Sequence, residues 1–311
     1  MERILTVLAQ IVLVLFLSPL ITGFSRTWKA RLQTRRGPGI FQPYRDLAKL
    51  LRKGMVIPDT ASWVFGATPY VLFSTTLLAG LLIPTVSAQA PLSAFGGVLA
   101  VVYLLALGRF FLALGGLDTG SSFGGLGSSR EMTISAIAEP ALMLAVFTVA
   151  IGAGSTNLST VAQAALGQSW RFLAPSQMLA FAALFIVLIA ETGRIPVDNP
   201  ATHLELTMIH EAMILEYSGP YLALIEWSAA MKQLVLMTLL VNVFIPFGLS
   251  AGWSAITVLS LILFVVKLLF LAATVVLMET TNAKLRLFRV PELLAVAFIL
   301  SAMALISTFL F

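Results

Sequence analysis

Glu139, Glu226, Lys232 and Lys267 stand inside long apolar runs, Glu191 closes another, and Glu279 closes the run that holds Lys267. A charge near the centre of a membrane helix costs roughly 2.5–3.5 kcal/mol on insertion scales, so four cost on the order of 10 kcal/mol unless they face one another or water. Acids and bases on different helices meet that demand by converging on a shared wet interior. Carboxylates trading protons with water in such an interior form a proton-conducting path. Lys267, twelve residues short of Glu279, is too deep for comfortable snorkelling.

The stretch AETGRIPVDNPATHLELTMIHEAMILEYSG, residues 190–219, holds both histidines and five of the fourteen acids: Glu191, Asp198, Glu205, Glu211 and Glu216. Pro196 and Pro200 break the helix that leaves the membrane, and ATHLELTMIHEAMILEY then reads as a new helix. On it Leu206, Ile209 and Met213 share one side, His203, Thr207, His210 and Glu211 another, and Glu205 and Glu216 a third. The expected product is an ordered lid with a polar stripe. Histidines seven residues apart match neither a His-Glu-x-x-His zinc motif nor a haem pair on facing spans. They suit a pH-sensitive interface, a point of proton uptake, or a plain polar face.

With no cysteine, the chain offers no disulfide, no cysteine-held iron–sulfur cluster and no thioether haem attachment. It also has no nucleophile elbow. Redox chemistry served by this chain therefore belongs to cofactors in a partner.

The elements that must position these groups are membrane helices. Of 311 residues 59% are hydrophobic and 11% charged, which is far from the composition of soluble domains. Continuous apolar runs near 4–24, 68–86, 95–114, 131–153, 176–190, 221–245, 253–278 and 292–311 predict an all-α polytopic fold of about eight spans. The first run has a neutral flank and no small-x-small cleavage site, and reads as a retained helix. No internal repeat is visible, so residues 1–311 read as one integral membrane domain. Fifteen Lys and Arg flank the 25–67, 115–130, 191–220 and 279–291 connections, Arg109, Arg130 and Arg194 among them, against Arg3 and Arg171 opposite. The positive-inside rule places those connections in the cytoplasm and both termini outside. The net charge of +5 thus reflects topology and attraction to anionic lipid, with no surface suited to nucleic acid.

Two connections have character of their own. After GPG at 37–39, Gln42 and Pro43 open a helix that Gly54 closes, with Tyr44, Leu47, Leu50 and Leu51 grouped on one side. It is expected to lie flat at the membrane surface, where it can also meet a protein. GGLDTGSSFGGLGSSR, 115–130, lacks the Gly-Lys-Ser/Thr ending of a phosphate cradle and reads as a flexible connection or, second to that, as a backbone surface pressed against a partner.

Three segments, RLQTRRGPGIFQPYRDLAKLLRKG, SSREMTISAIAEPALM and the 190–219 stretch, resemble in order the signature regions of the subunit 1 family of respiratory complex I. The likeness is closer to the membrane subunit of formate hydrogenlyase and hydrogenase-4-type energy-converting hydrogenases, because the turn after RRGP is shortened and AETGRIPVD is followed by a longer interval. The resemblance implies a prokaryotic inner-membrane subunit without a cofactor of its own. It would anchor nickel–iron hydrogenase-like large and small subunits and an iron–sulfur protein, which carry the nickel–iron centre and clusters, beside antiporter-like membrane subunits. Carried over by motif position, Glu139 becomes the buried glutamate of the fourth span, and Glu191, Asp198, Glu205 and Glu216 the acidic loop feeding the path. Arg31, Arg35, Arg36, Gly37, Gln42, Pro43 and Asp46 join the partner interface. Two rivals remain: a quinone site between the first loop and residues 191–219, and a free-standing ion transporter, for which no inverted repeat or paired broken helices appear.

Overall fold

The computed structural model describes residues 2–167, 174–198, 208–253, 256 and 258–310. His203 and Glu205 lie outside the described residues. The helices are α1 (Glu2–Leu32), α2 (Gln42–Arg52), α3 (Trp63–Leu82), α4 (Val98–Asp118), α5 (Ser122–Ala153), α6 (Leu158–Gly167), α7 (Pro175–Glu191), α8 (His210–Ile214), α9 (Gly219–Phe244), α10 (Val258–Thr281) and α11 (Val290–Leu310). Seven helices of the described residues are long and apolar enough to cross a membrane, and the apolar helix α7, 17 residues in all, is just shorter. At about 1.5 Å per residue α7 still reaches the lower limit for a span, which brings the set to the eight expected.

α9 is the most enclosed of the long helices and packs against α1, α2, α3, α6, α7 and α10. Around it α3 pairs with α4, α4 with α5, and α11 closes the ring by lying against both α5 and α7. Helices α10 and α11 turn large side chains outward, among them Val258, Phe270, Ile306 and Phe309. In a bilayer that surface needs no other cover, because lipid tails are as apolar as the side chains.

The glycine-rich stretch overturns the expectation of a flexible connection. α4 runs on to Asp118 and α5 already begins at Ser122, so the two are joined by Thr119–Ser121. The glycines are there for close approach: a Cβ on Gly124 would stand 2.1 Å from the carbonyl oxygen of Gly116, and one on Gly127 would stand 2.9 Å from that of Ile209. The helices meet backbone to backbone, and the 208–217 segment seats on them.

α2 begins at Gln42 as read, but it does not simply float on the surface. Pro43 and Leu47 are buried against the bundle, α1 and α9 are its neighbours, and the Tyr44 hydroxyl donates to the Phe16 carbonyl. Gly23 permits this, since a Cβ there would fall 2.0 Å from the Ile40 carbonyl oxygen. The lid also differs. Its described helix is only His210–Ile214, with Ala212, Met213 and Ile214 buried, and Glu216 lies exposed beyond its end. Packing of that short turn onto α4 and α5 ends the described helix at Ile214, short of the Tyr217 to which the helical pattern runs.

Candidate functional site: a buried ionic cluster

Arg109 is an interior residue of α4 and its side chain is 5% exposed, which corrects its assignment to a connection flank. The preceding Gly108 lets α4 approach α3 closely, since a Cβ there would stand 2.7 Å from Thr75 Oγ1. From this position the guanidinium fork reaches two other helices. Nη1 donates to Glu139 Oε1 of α5 at 2.8 Å, a carboxylate that is 33% exposed and so only half-buried where full burial was expected, and Nη2 to Glu191 Oε2 at the end of α7 at 2.6 Å. Glu131, one segment earlier on α5, stands 3.7 Å from Nε. Lys232 of α9 places its Nζ 2.8 Å from the same Glu191 oxygen that Arg109 holds. Four helices thus meet through three carboxylates and two cations, a formal charge of −1 when all are ionised, so one added proton neutralises the group.

Beside the cluster is a cavity of about 80 Å³ whose polar lining includes Arg109, Glu131, Glu191, Asp198, His210 and Lys232. A water needs roughly 10–15 Å³ measured this way and two or more polar partners, so several fit. Arg109 Nε is buried with no hydrogen-bond acceptor among the described residues. Leaving a buried donor unmet costs about 1–3 kcal/mol, more when it is charged.

The other charges expected on one path pair outside this cluster, although Asp198 lines the same cavity. Glu279, 1% exposed, takes Arg194 Nη1 at 3.0 Å on one oxygen and has Lys29 Nζ 2.9 Å from the other. Arg194 Nη2 also donates to Gln233 Oε1 at 2.7 Å. Asp198 accepts from the backbone N–H of Ile209 at 3.2 Å and of His210 at 3.4 Å, and pairs with Lys284 at 3.3 Å, so it fastens the lid turn to the connection after α10. Glu226 meets Arg26 at 3.9 Å with both side chains over a third exposed, an arrangement of little energetic weight. Lys267 lies toward the opposite end, donating to Asn242 Oδ1 at 3.2 Å and to the Ile245 carbonyl at 3.0 Å, where it caps the last turn of α9.

Of the expected interface residues, Arg31, Arg35 and Arg36 are exposed, while Gly37 is half-buried against Thr27 and Ala30. Gln42 donates to Asp46 at 3.0 Å, and Pro43 is buried. His210 faces the cavity and Glu211 is half-buried. Arg130 donates to the Met208 carbonyl at 2.9 Å and so braces the lid. Tyr217 stacks on Phe65 at 4.0 Å and donates to its carbonyl; burial pushes the phenol well above its ordinary pKa.

Sequence reasoning missed Arg109 and Glu131. Arg109 had a readable signal: it interrupts YLLALGRFFLALGG, and an arginine flanked on both sides by so much apolar sequence needs a buried acid. Glu131 had none, since it follows Arg130 at the edge of a run.

Comparison with known proteins agrees with this architecture. The chain is 38% identical over 299 residues to "Hydrogenase-4 component C" of Escherichia coli, covering 96% of this chain and 93% of the relative. It is 37% identical over 297 residues to "Formate hydrogenlyase subunit 4" of the same organism, covering 95% of each. A chain in the structure of "the membrane-bound sulfane sulfur reductase (MBS), an archaeal respiratory membrane complex" superposes with a TM-score of 0.87 over 99% of this chain and 100% of that one, at 22% identity, which establishes the fold. Residues 4–310 match the family described as "NADHdh: NADH dehydrogenase", and the chain is a multi-pass membrane protein belonging to that family.

Proposed function

We propose that this chain is the non-redox membrane subunit of a respiratory-type nickel–iron hydrogenase complex of the formate hydrogenlyase kind. It anchors the peripheral hydrogenase and iron–sulfur arm on its basic end, which faces the cytoplasm of the inner membrane with both termini outside, and it sits beside antiporter-like subunits. Similarity to the two Escherichia coli proteins named above supports this setting, and the exposed Arg31, Arg35 and Arg36 suit a docking edge for the arm.

One observation carries the mechanism: Glu191 is held by Arg109 at 2.6 Å and by Lys232 at 2.8 Å at the inner end of a polar cavity that extends to Asp198 and His210 in the basic-end loops. Electron transfer in a docked arm changes the field at those loops. A cluster one proton short of neutrality answers such a change by binding or releasing a proton. Glu139, tied to the same guanidinium, extends the path into α5.

The test is coupled ion movement by the assembled complex in liposomes. Glu191→Gln and Glu139→Gln should each abolish it while the complex still assembles, and full coupling in both would overturn the reading.

A further inference from the structure

We infer that Glu131 is a further proton-carrying carboxylate of this site, placed between the cavity and the Arg109 guanidinium; the inference rests on the coupling role proposed above. The starting point is the unmet Nε of Arg109, on a side chain only 5% exposed. The other two arms of the fork are bonded directly, to Glu139 at 2.8 Å and Glu191 at 2.6 Å. Glu131 Oε1 stands 3.7 Å from Nε, within reach of a charge but beyond a hydrogen bond.

That separation gives Glu131 two places. An approach of under about 1 Å makes a direct bond to Nε, while one intervening water makes an indirect bond. The cavity that both residues line has room for such a water. Position adds a second reason. Glu131 and Glu139 are eight residues apart on α5, a rise of about 12 Å. Glu131 lines the cavity and is nearer the basic-end start of α5, whereas Glu139 is not in the lining. A proton drawn from the loops therefore meets Glu131 before it meets Glu139.

The step is a proton transfer without electron movement. An O–H bond forms at the Glu131 carboxylate as one breaks in the donor water chain, which weakens the hold of Glu131 on Arg109. The reverse transfer restores the carboxylate and its attraction to Nε.

The experiment compares Glu131→Gln, Glu131→Asp and Glu191→Gln in the whole complex reconstituted in liposomes. It reads proton movement per turnover across pH, together with pH-difference infrared spectra. Glu131→Gln should lower proton movement at least tenfold and remove a protonated-carboxyl C=O band, and Glu131→Asp should recover most of the movement through a bridging water. Normal movement in Glu131→Gln alongside failure in Glu191→Gln would overturn the Glu131 role and leave the coupling role standing. Normal movement in both would overturn the coupling role itself. Should Glu131→Gln fail to assemble, Glu131→Asp carries the test: the carboxyl band must shift, and an unshifted band overturns the assignment.

Discussion

Lys232 and Gln233, consecutive on α9, reach into two different ionic groups: Lys232 holds Glu191 at 2.8 Å, and Gln233 accepts from Arg194, which holds Glu279. Neighbours on a helix point about 100° apart, so one short stretch of α9 sets the spacing between the cavity cluster and the group that ties in Lys29 of α1. Gln233→Leu removes the acceptor for Arg194 but keeps the volume. It should lower the thermal midpoint of the detergent-solubilised complex by an amount corresponding to about 1–3 kcal/mol and weaken coupling less than Glu191→Gln does. A midpoint equal to wild type would show that Gln233 does not fasten the two groups.

Replacing Arg109 separates charge from geometry. Arg109→Leu leaves three carboxylates facing Lys232 alone and should cost about 3–5 kcal/mol, seen as loss of the chain from membranes on immunoblots. Arg109→Lys keeps the charge but cannot bond two helices with one planar fork, so it should assemble in reduced amount and couple poorly. Equal assembly and coupling in both variants would refute the bridging role.

The glycine corner supplies a paired test. Gly124→Ala drives a methyl toward the Gly116 carbonyl oxygen at 2.1 Å, whereas Gly125→Ala meets nothing closer than 4.0 Å. The first should destabilise by about 1–3 kcal/mol or more, through overpacking against backbone. The second should be neutral or slightly stabilising, because alanine favours helix by about 1 kcal/mol. Similar protease resistance in the two would mean α4 and α5 are not pressed together as described.

Two intramembrane charges should prove dispensable for coupling. Glu226→Gln breaks a 3.9 Å pair whose side chains are both over a third exposed, an interaction of about 0–1 kcal/mol. Lys267→Met removes the cap on the end of α9, a contribution of roughly 0.3–1 kcal/mol. Proton movement per turnover near wild type is expected for both, and a tenfold loss in either would return that residue to the path.

Burial raises the Tyr217 phenol above its ordinary value near 10. The neutral form is favoured in the folded chain, so as pH rises past about 10 an unfolded chain releases that proton first and folded stability falls. Tyr217→Phe keeps the 4.0 Å stack on Phe65 and should flatten the alkaline part of the stability curve, measured by thermal melts between about pH 9 and 11. An unchanged slope would place the alkaline sensitivity elsewhere.

By itself the sequence determined the membrane class, the apolar helices, the start of α2 at Gln42 and the identity of most charges that lipid cannot tolerate, because hydrophobic length and insertion cost are local quantities. It also fixed the family, through three motifs that stand in order along the chain. Which charges meet was decided only by the packing of α4, α5, α7 and α9. That packing sent Glu139 and Glu191 to Arg109 and Lys232 to Glu191, while the packing of α10 sent Glu279 to Arg194 and Lys267 to the end of α9. The glycines of 115–130 show the same division. In sequence they mean freedom of the backbone, and only the neighbouring helix, 2.1 Å from a Cβ that Gly124 does not have, turns that freedom into close contact.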